Sequence, residues 1–185
     1  DEIVVVTRPE RLQHIADICQ EFDIDKIRKI IVGGKTRAQS AYLGVLEASE
    51  NASLIAIHDG ARPFVSEAVI DRTVNSAKQN HAAAPAVYAT DTVRIVNTKG
   101  VAVSTPDRDT VALIQTPQVF DADLIRNALT KAVKNDLRIT DDCSAVEAMG
   151  AKVTVVAGEQ ANIKLTSEAD VYIAEKILAD RGTDK

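Results

Sequence analysis

The segment HDGARP, residues 58–63, follows directly on the apolar run 54–57. An apolar run that stops at such residues is typical of a buried strand whose carboxyl end opens into a ligand site. There Asp59 can hold a metal ion or a hydroxyl group, Gly60 lets a ligand approach the backbone, and Arg62 offers a planar fork suited to phosphate. The alternative is a charged surface turn with no ligand.

A second segment, GGKTRAQS at residues 33–40, lies between an expected strand and an expected helix. Glycines allow a close approach of the backbone, and a helix N-terminus attracts an anion. Arg37 and Ser40 fall one helical turn apart near that end. The segment matches neither of the common glycine-rich phosphate motifs, so taken alone it favours an ordinary strand-to-helix turn.

Two further cations lie in expected loops: Arg108 in TPDR (105–108) and Lys164 in NIKLT (162–166). The alternative for each is a solvated surface residue with no ligand. Together with Arg37 and Arg62 they predict a polyanion pocket around Asp59. Phosphoryl or nucleotidyl transfer needs this equipment, because its chemistry is largely positioning and neutralisation of phosphate charge, helped by Mg²⁺.

Two more polar segments are interpreted as structural. In residues 114–120, which contain QTPQVF, we expect a loop near the site in which Gln115 and Gln118 bond the backbone. The segment TDD, residues 140–142, is interpreted as a helix cap only.

The elements that must position these residues alternate between strand-like runs and helix-period segments, which predicts βαβ units and a mostly parallel sheet. The expected strands are 3–6, 30–32, 54–57, 83–88 and 152–156. The first three expected helices are 8–22, one with the stripe Ala38, Ala41, Val45 and Ala48, and one from an N-cap at Ser66 to about Asn80. The next is 121–135, whose inner side should carry Leu124, Ile125, Ala128, Leu129 and Ala132. The last two lie between Thr140 as N-cap and Gly150, and from an opening at 167–170 onwards.

The alternation breaks at residues 92–104, where strand 92–96, turn 97–100 and strand 101–104 are expected. An isolated two-stranded hairpin is marginal in water, so it needs a surface to pack on. A second subunit is one candidate, and the hairpin's own domain is the other.

Composition narrows the function classes. The chain has 185 residues, is 45% hydrophobic and carries a net charge of −5, which fits one domain with a full core and an arm. The acidic balance argues against a nonspecific nucleic-acid surface, and no apolar run is long enough to span a membrane. Cys19 and Cys143 lack metal-ligand spacing and are interpreted as buried thiols of a cytoplasmic protein.

The ordered set GGKTRAQS, HDGARP, Asp91-Thr92, PDR, QTPQVF, TDD and NIKLT resembles the 2-C-methyl-D-erythritol 4-phosphate cytidylyltransferases over nearly the whole chain. The resemblance implies a single Rossmann-like nucleotidyltransferase domain over 1–185, with a β-arm at 92–108 that reaches a second subunit of a homodimer. It also implies a reaction: the phosphate of methylerythritol phosphate attacks the α-phosphate of CTP, with Mg²⁺, and pyrophosphate leaves.

The resemblance also implies roles for individual residues. The expected nucleotide contacts are Gly34, Arg37, Ser40, Asp59 and Gly60, with Asp59 also near the metal. The expected sugar-phosphate contacts are Asp59, Arg62, Thr92, Arg108, Thr140 and Lys164. Of these, Arg108 and Lys164 are expected to be catalytic, because they would hold the attacking phosphate in line.

The sequence departs from the family's pattern at its start. Members of the family begin with a strand and a glycine-rich loop that carries an arginine and a lysine. No counterpart stands before Asp1, so we expect that upstream sequence is missing. We expect these residues alone to bind CTP weakly and to show little or no turnover. A ribitol 5-phosphate cytidylyltransferase is the nearest rival, against which Ala61 counts. A non-catalytic sugar-phosphate-binding or dimerisation protein is the rival from another class.

Overall fold

The computed structural model describes residues 1–182. Its strands, in chain order, are β1 (Ile3–Thr7), β2 (Ile27–Val32), β3 (Leu54–Ile57), β4 (Ala82–Tyr88), β5 (Ile95–Val96), β6 (Ala102–Ser104), β7 (Ala112–Ile114), β8 (Gln118–Asp121) and β9 (Thr154–Ala157). Its α-helices are α1 (Leu12–Glu21), α2 (Arg37–Glu47), α3 (Glu67–Asn80), α4 (Ala122–Lys134), α5 (Asp142–Glu147) and α6 (Glu168–Gly182). The predicted α/β class is confirmed.

The first βαβ unit is formed as predicted. Strands β1 and β2 pair in parallel, with Val5 opposite Ile30, and α1 connects them. The pair forms a sheet of its own. Helix α2 then begins behind an N-cap at Thr36, whose hydroxyl accepts from the backbone N–H of Gln39 at 3.1 Å.

The prediction of a mostly parallel sheet is wrong. In the five-stranded sheet, β8 runs antiparallel to both β3 and β4, β7 runs antiparallel to β4, and only β9 is parallel to β4. The pairings Ala86–Ile114 and Ala82–Phe120 place β7 and β8 in succession along one edge of β4, while β9 occupies the other edge. After β4 the chain returns as β7 and β8, which run antiparallel to it. The apolar pattern of a strand does not indicate its direction, so the sequence could not predict this.

Residues 114–120 also differ from the expected loop. Ile114 is the last residue of β7, and residues 118–120 belong to β8, so only residues 115–117 of this segment are loop. The run Val119–Phe120 is fully buried because β8 lies inside the sheet between β3 and β4. An apolar run of this length is too short to identify as a strand from its pattern.

The main core lies between the five-stranded sheet and the helices α2, α4 and α5. The predicted inner stripe of α4 is confirmed, since Ile125, Ala128, Leu129 and Ala132 are buried. Full burial of a leucine or isoleucine side chain stabilises the fold by about 2 kcal/mol. Cys143 joins this core and burial raises the pKa of its thiol, whereas Cys19 is only half-buried.

Helix capping decides where two other elements start. Ser66 caps α3 as predicted, with its hydroxyl accepting from the N–H of Val69. The N-cap of α5 is Asp141 and not Thr140, because the Asp141 carboxylate accepts from the N–H of Ser144 while the Ser144 hydroxyl binds back to Asp141. The reciprocal bonds of this capping box leave Thr140 one residue outside the helix.

The hairpin predicted over 92–104 forms as β5 and β6, which are shorter than expected. In the part of the chain that the structure describes, the hairpin pairs with no other strand. Gly100, with φ +77°, makes its turn. Its apolar side chains are exposed: Ile95, Val96, Val101 and Val103. Among the described residues, no helix combines the length and the apolar composition needed to cross a membrane.

Candidate active site

Asp59, at the carboxyl end of β3, is the centre of a charged cluster. Its Oδ2 lies 2.9 Å from Nζ of Lys164 and 3.7 Å from Nε of Arg62, and its Oδ1 lies 3.6 Å from Nε of Arg37. Only 17% of the Asp59 side chain is exposed. Three of the four cations singled out in the sequence therefore meet at one carboxylate.

The electrostatics of this cluster favour an ionised Asp59. Burial acts to raise the pKa of the carboxyl, but the hydrogen bond and charge of Lys164, with the charges of Arg37 and Arg62, outweigh it. The pKa of Asp59 is therefore lowered.

The loop that carries Asp59 follows β3 and is fixed by hydrogen bonds to the side chain of Thr116. The Thr116 hydroxyl accepts from the backbone N–H of Asp59 at 3.0 Å, so its proton is free to donate to Nδ1 of His58 at 2.9 Å. Because Nδ1 of His58 accepts this bond, the N–H of the imidazole ring is at Nε2. That N–H donates to the carbonyl of Arg62 at 3.0 Å. The imidazole closes the turn between Asp59 and Arg62, a role that sequence reasoning missed.

Lys164 lies on a segment without regular secondary structure, residues 158–167, which we call the lysine strap. Its hub is Asn162, which is fully buried and donates from Nδ2 to the carbonyl of Thr116 at 2.9 Å. Arg62 Nη1 donates to the carbonyl of Asn162 at 2.7 Å, and the N–H of Leu165 donates to the carbonyl of Ala61 at 2.8 Å. The strap is thus bonded to the same loop that carries Asp59.

The predicted structural roles of the two glutamines are confirmed. Gln115 donates from Nε2 to the carbonyl of Glu159 at 2.8 Å, so it ties β7 to the lysine strap. Gln118 accepts at Oε1 from the backbone N–H groups of Asp142 and Cys143. These side chains satisfy backbone donors and acceptors that the site's loops leave without partners.

Arg37 has a second and closer acidic partner. Its Nη1 and Nη2 donate to Oδ1 and Oδ2 of Asp142 at 3.1 and 2.7 Å, a bidentate pair. Burial acts to lower the pKa of Arg37, but the hydrogen bond and charge of Asp142 and the charges of Asp59 and Asp141 raise it. Sequence reasoning assigned TDD to capping alone and missed this contact, because a carboxylate in a first helical turn is normally explained by the helix itself.

The matches to known proteins run along almost the whole chain. The family profile of 2-C-methyl-D-erythritol 4-phosphate cytidylyltransferase (IspD) matches residues 1–180. The chain belongs to this cytidylyltransferase family. The enzyme of that name from Clostridium botulinum is 38% identical over 178 residues, 96% of this chain and 78% of the relative. The enzyme of that name from Clostridioides difficile is 40% identical over 179 residues, 96% of this chain and 75% of the relative.

A solved structure agrees with the sequence matches. The 4-diphosphocytidyl-2C-methyl-D-erythritol synthase from Anaerococcus prevotii superposes with a TM-score of 0.90 at 36% identity. The match covers 97% of this chain and 79% of that structure. At this similarity, the fold around Asp59 is that of the cytidylyltransferases.

Residues 33–36 form the turn between β2 and α2, and residues 37–40 form the first turn of α2, as the position of GGKTRAQS between an expected strand and an expected helix predicted. The N–H of Gly34 donates to the Ser40 hydroxyl at 3.1 Å, and that hydroxyl donates to the carbonyl of Thr36 at 3.0 Å. A Cβ added at Gly34 would lie 2.3 Å from Cβ of Gln39, so the turn has no room for a side chain there. Ser40 thus braces the loop that places Arg37.

Four of the five predicted nucleotide contacts border one cleft. A cavity of about 940 Å³ runs along β1, α2 and β3, and Arg37, Ser40, Asp59 and Gly60 are among its lining residues. Among residues 1–182, no atom comes within 4 Å of a Cβ built at Gly60, so the loop there is open to a ligand. Gly34 is not among the lining residues.

Three residues of the predicted sugar-phosphate set stand apart from the cluster. The side chain of Arg108 is 61% exposed and donates to the carbonyl of Thr90 at 3.4 Å, next to Asp109 at 3.8 Å. Thr92 is exposed near the base of the hairpin, and Thr140 is exposed just before α5. Arg108 thus contacts Asp109 and Thr90 and not Asp59, and the backbone N–H of Thr140 donates to the Ser144 hydroxyl at 3.0 Å.

Proposed function

We propose that this chain transfers the cytidylyl group of CTP to 2-C-methyl-D-erythritol 4-phosphate. An oxygen of the sugar phosphate attacks the α-phosphorus of CTP, the bond from that phosphorus to the bridging oxygen breaks, and pyrophosphate leaves. Membership of the family supports the reaction class. The observation that carries the proposal is the convergence of Lys164, Arg37 and Arg62 on Asp59 beyond the end of β3.

The two outer cations are suited to anionic reactants. Lys164 and Arg37 keep 42% and 38% of their side chains exposed, while Asp59 holds Lys164 in place and Asp142 holds Arg37. Both reactants carry phosphate, and preorganised positive charge at the developing negative charge is the main means of accelerating such transfers. Lys164 is therefore proposed to hold the attacking phosphate in line.

Arg62 is more enclosed than the other two cations. Its side chain is 13% exposed, and one guanidinium nitrogen is occupied by the carbonyl of Asn162. We propose that its remaining edge faces the sugar phosphate, while its bond to the strap keeps Lys164 next to Asp59.

A magnesium ion fits this donor set in part. Within the described residues there is no group of three or more acidic, His or Cys side chains that could hold a metal. Mg²⁺ in nucleotide enzymes normally takes one or two carboxylates, with phosphate oxygens and waters completing the shell. Asp59 supplies one such carboxylate, and the bound ion would neutralise charge on the triphosphate.

Arg108 and Thr92 are proposed to act in the site of a second copy of the chain. This would make the protein a homodimer joined through the arm at 92–108. The exposed Arg108 and the exposed apolar side chains of β5 and β6 support the proposal, because a hairpin with no buried face is marginal on its own. We further propose that the enzyme acts in the cytoplasm, in line with its two free thiols.

Pyrophosphate release tests the proposal directly. The purified intact protein, including any sequence upstream of Asp1, is incubated with CTP, Mg²⁺ and either methylerythritol phosphate or ribitol 5-phosphate. Release with the first substrate and little with the second is expected. Preference for ribitol phosphate would move the assignment to that rival, and no release with either would leave a binding protein.

A further inference from the structure

We infer that Asp142 is a positioning residue of the nucleotide site: it holds the guanidinium of Arg37 at a fixed angle and keeps it from pairing fully with Asp59. The inference rests on the proposed function, since it concerns how the same site presents its charges. It assigns a role to a residue that capping alone does not explain.

The distances show which acid controls Arg37. Both Asp142 oxygens are hydrogen-bonded to Arg37, the shorter contact being 2.7 Å, whereas Asp59 approaches only to 3.6 Å. A fork bonded through two nitrogens has a defined plane and a defined direction. Nε is the part of the guanidinium left on the Asp59 side.

Asp142 is itself immobilised. None of its side chain is exposed, and its backbone N–H donates at 3.0 Å to Gln118, a buried residue of β8. Gln118 also donates to the carboxylate of Asp141 at 2.8 Å, which links the start of α5 to the sheet. A buried carboxylate needs a charged or strongly hydrogen-bonded partner, and in the structure that partner is Arg37.

The consequence is a division of charge at the site. Lys164 is hydrogen-bonded to Asp59, while Arg37 and Arg62 approach it only at 3.6 and 3.7 Å. Without the negative charge of Asp142, Arg37 gains by turning towards Oδ1 of Asp59. It would then leave the cleft face and compete with Lys164 for the same carboxylate.

Asp142→Asn tests this, because it keeps the size of the side chain and removes its charge. We expect the KM for CTP to rise about tenfold, with a smaller change in kcat, since the misplaced group is a binding cation. Asp121→Asn is the matched control: Asp121 caps α4 through the N–H groups of Asp123 and Leu124. Because asparagine caps a helix about as well as aspartate, that control should change the Tm little and leave the KM for CTP unchanged.

A double-mutant cycle separates positioning from general damage. In an Arg37→Ala background, Asp142→Asn should have almost no further effect on the KM for CTP, because the residue through which it acts is gone. Additive effects, or an unchanged KM in the single variant, would overturn the inference. If Asp142→Asn does not fold, Arg37→Lys keeps the charge, loses the fork and should produce the same rise in KM.

The crystal structure of Asp142→Asn supplies a readout independent of turnover. The guanidinium of Arg37 should move to hydrogen-bond distance of Asp59, and an unmoved Arg37 would contradict the inference. Absence of turnover by the wild-type protein would instead reject the proposed function, so the two failures are distinguishable.

Discussion

The ammonium nitrogen of Lys164 lies 2.9 Å from Oδ2 of Asp59, although one residue follows β3 and the other lies on the strap after β9. The contact is set by the backbone: the strap is bonded to the Asp59 loop through Leu165 to Ala61 and through Arg62 to Asn162. These bonds keep Lys164 near the carboxylate.

Replacing Lys164 by Ala should lower kcat about 100-fold or more, because one preorganised charge at the reacting phosphates is lost. Thermal unfolding should change little, since the lysine side chain is 42% exposed. Steady-state pyrophosphate release and a melting curve measure the two quantities. Lys176→Ala, which removes an exposed lysine paired with Asp180 on α6, is the control and should retain full turnover. Wild-type kcat in Lys164→Ala would remove Lys164 from the reaction.

Asp59→Asn should change how stability depends on pH. The pKa of Asp59 is lowered in the folded state, so below the ordinary value of 3.8 the unfolded chain binds more protons and stability falls with falling pH. The stabilisation is complete above that value and is lost as the pH drops through the lowered pKa. Urea unfolding at a series of pH values should show a shallower acid decline for Asp59→Asn. Parallel curves for the two proteins would show that the cations around Asp59 do not stabilise its charge.

Asn162→Ala should reduce the free energy of unfolding by about 2 kcal/mol, because it leaves the buried carbonyl of Thr116 without the Asn162 amide donor. Turnover should fall as well, since the lysine strap loses its side-chain bonds to the loop at residues 115–116. Urea unfolding and kcat provide the measurements. Asn80→Ala removes a side-chain bond within α3 at an exposed position and should change both by much less. Equal losses in the two variants would argue against a special role for Asn162.

Mixing two inactive variants tests the shared site. If Arg108 of one copy serves the site that contains Lys164 of the other, then Arg108→Ala and Lys164→Ala restore one intact site in each mixed dimer. Subunit exchange should recover about a quarter of wild-type turnover, because half the dimers are mixed and half their sites are intact. The control uses Arg94→Ala in place of Arg108→Ala. Arg94 is bonded to Thr105 in the same arm, and its alanine variant should remain active without mixing. No recovery on mixing would place Arg108 outside the partner's site.

Local sequence signals predicted much of the site. The apolar run before HDGARP, the N-cap at Ser66 and the inner stripe of α4 are short-range patterns, and each is found where it was expected. Asp142 and His58 were missed because their roles depend on partners that are distant along the chain or belong to the backbone. No rule of residue spacing predicts that a carboxylate next to an N-cap contacts an arginine on another helix.

The amino-acid sequence by itself determined the alternating α/β elements, the acidic balance, the hairpin at residues 92–104 and the charged residues placed at strand ends. Those properties follow from periodicity, propensity and side-chain chemistry, which act over a few residues. Only the tertiary structure decided the strand directions, the bidentate pair of Arg37 with Asp142 and the meeting of Lys164 with Asp59. Strand direction depends on which edges are left to pair, and charges far apart in the chain approach only where packing brings their backbones together.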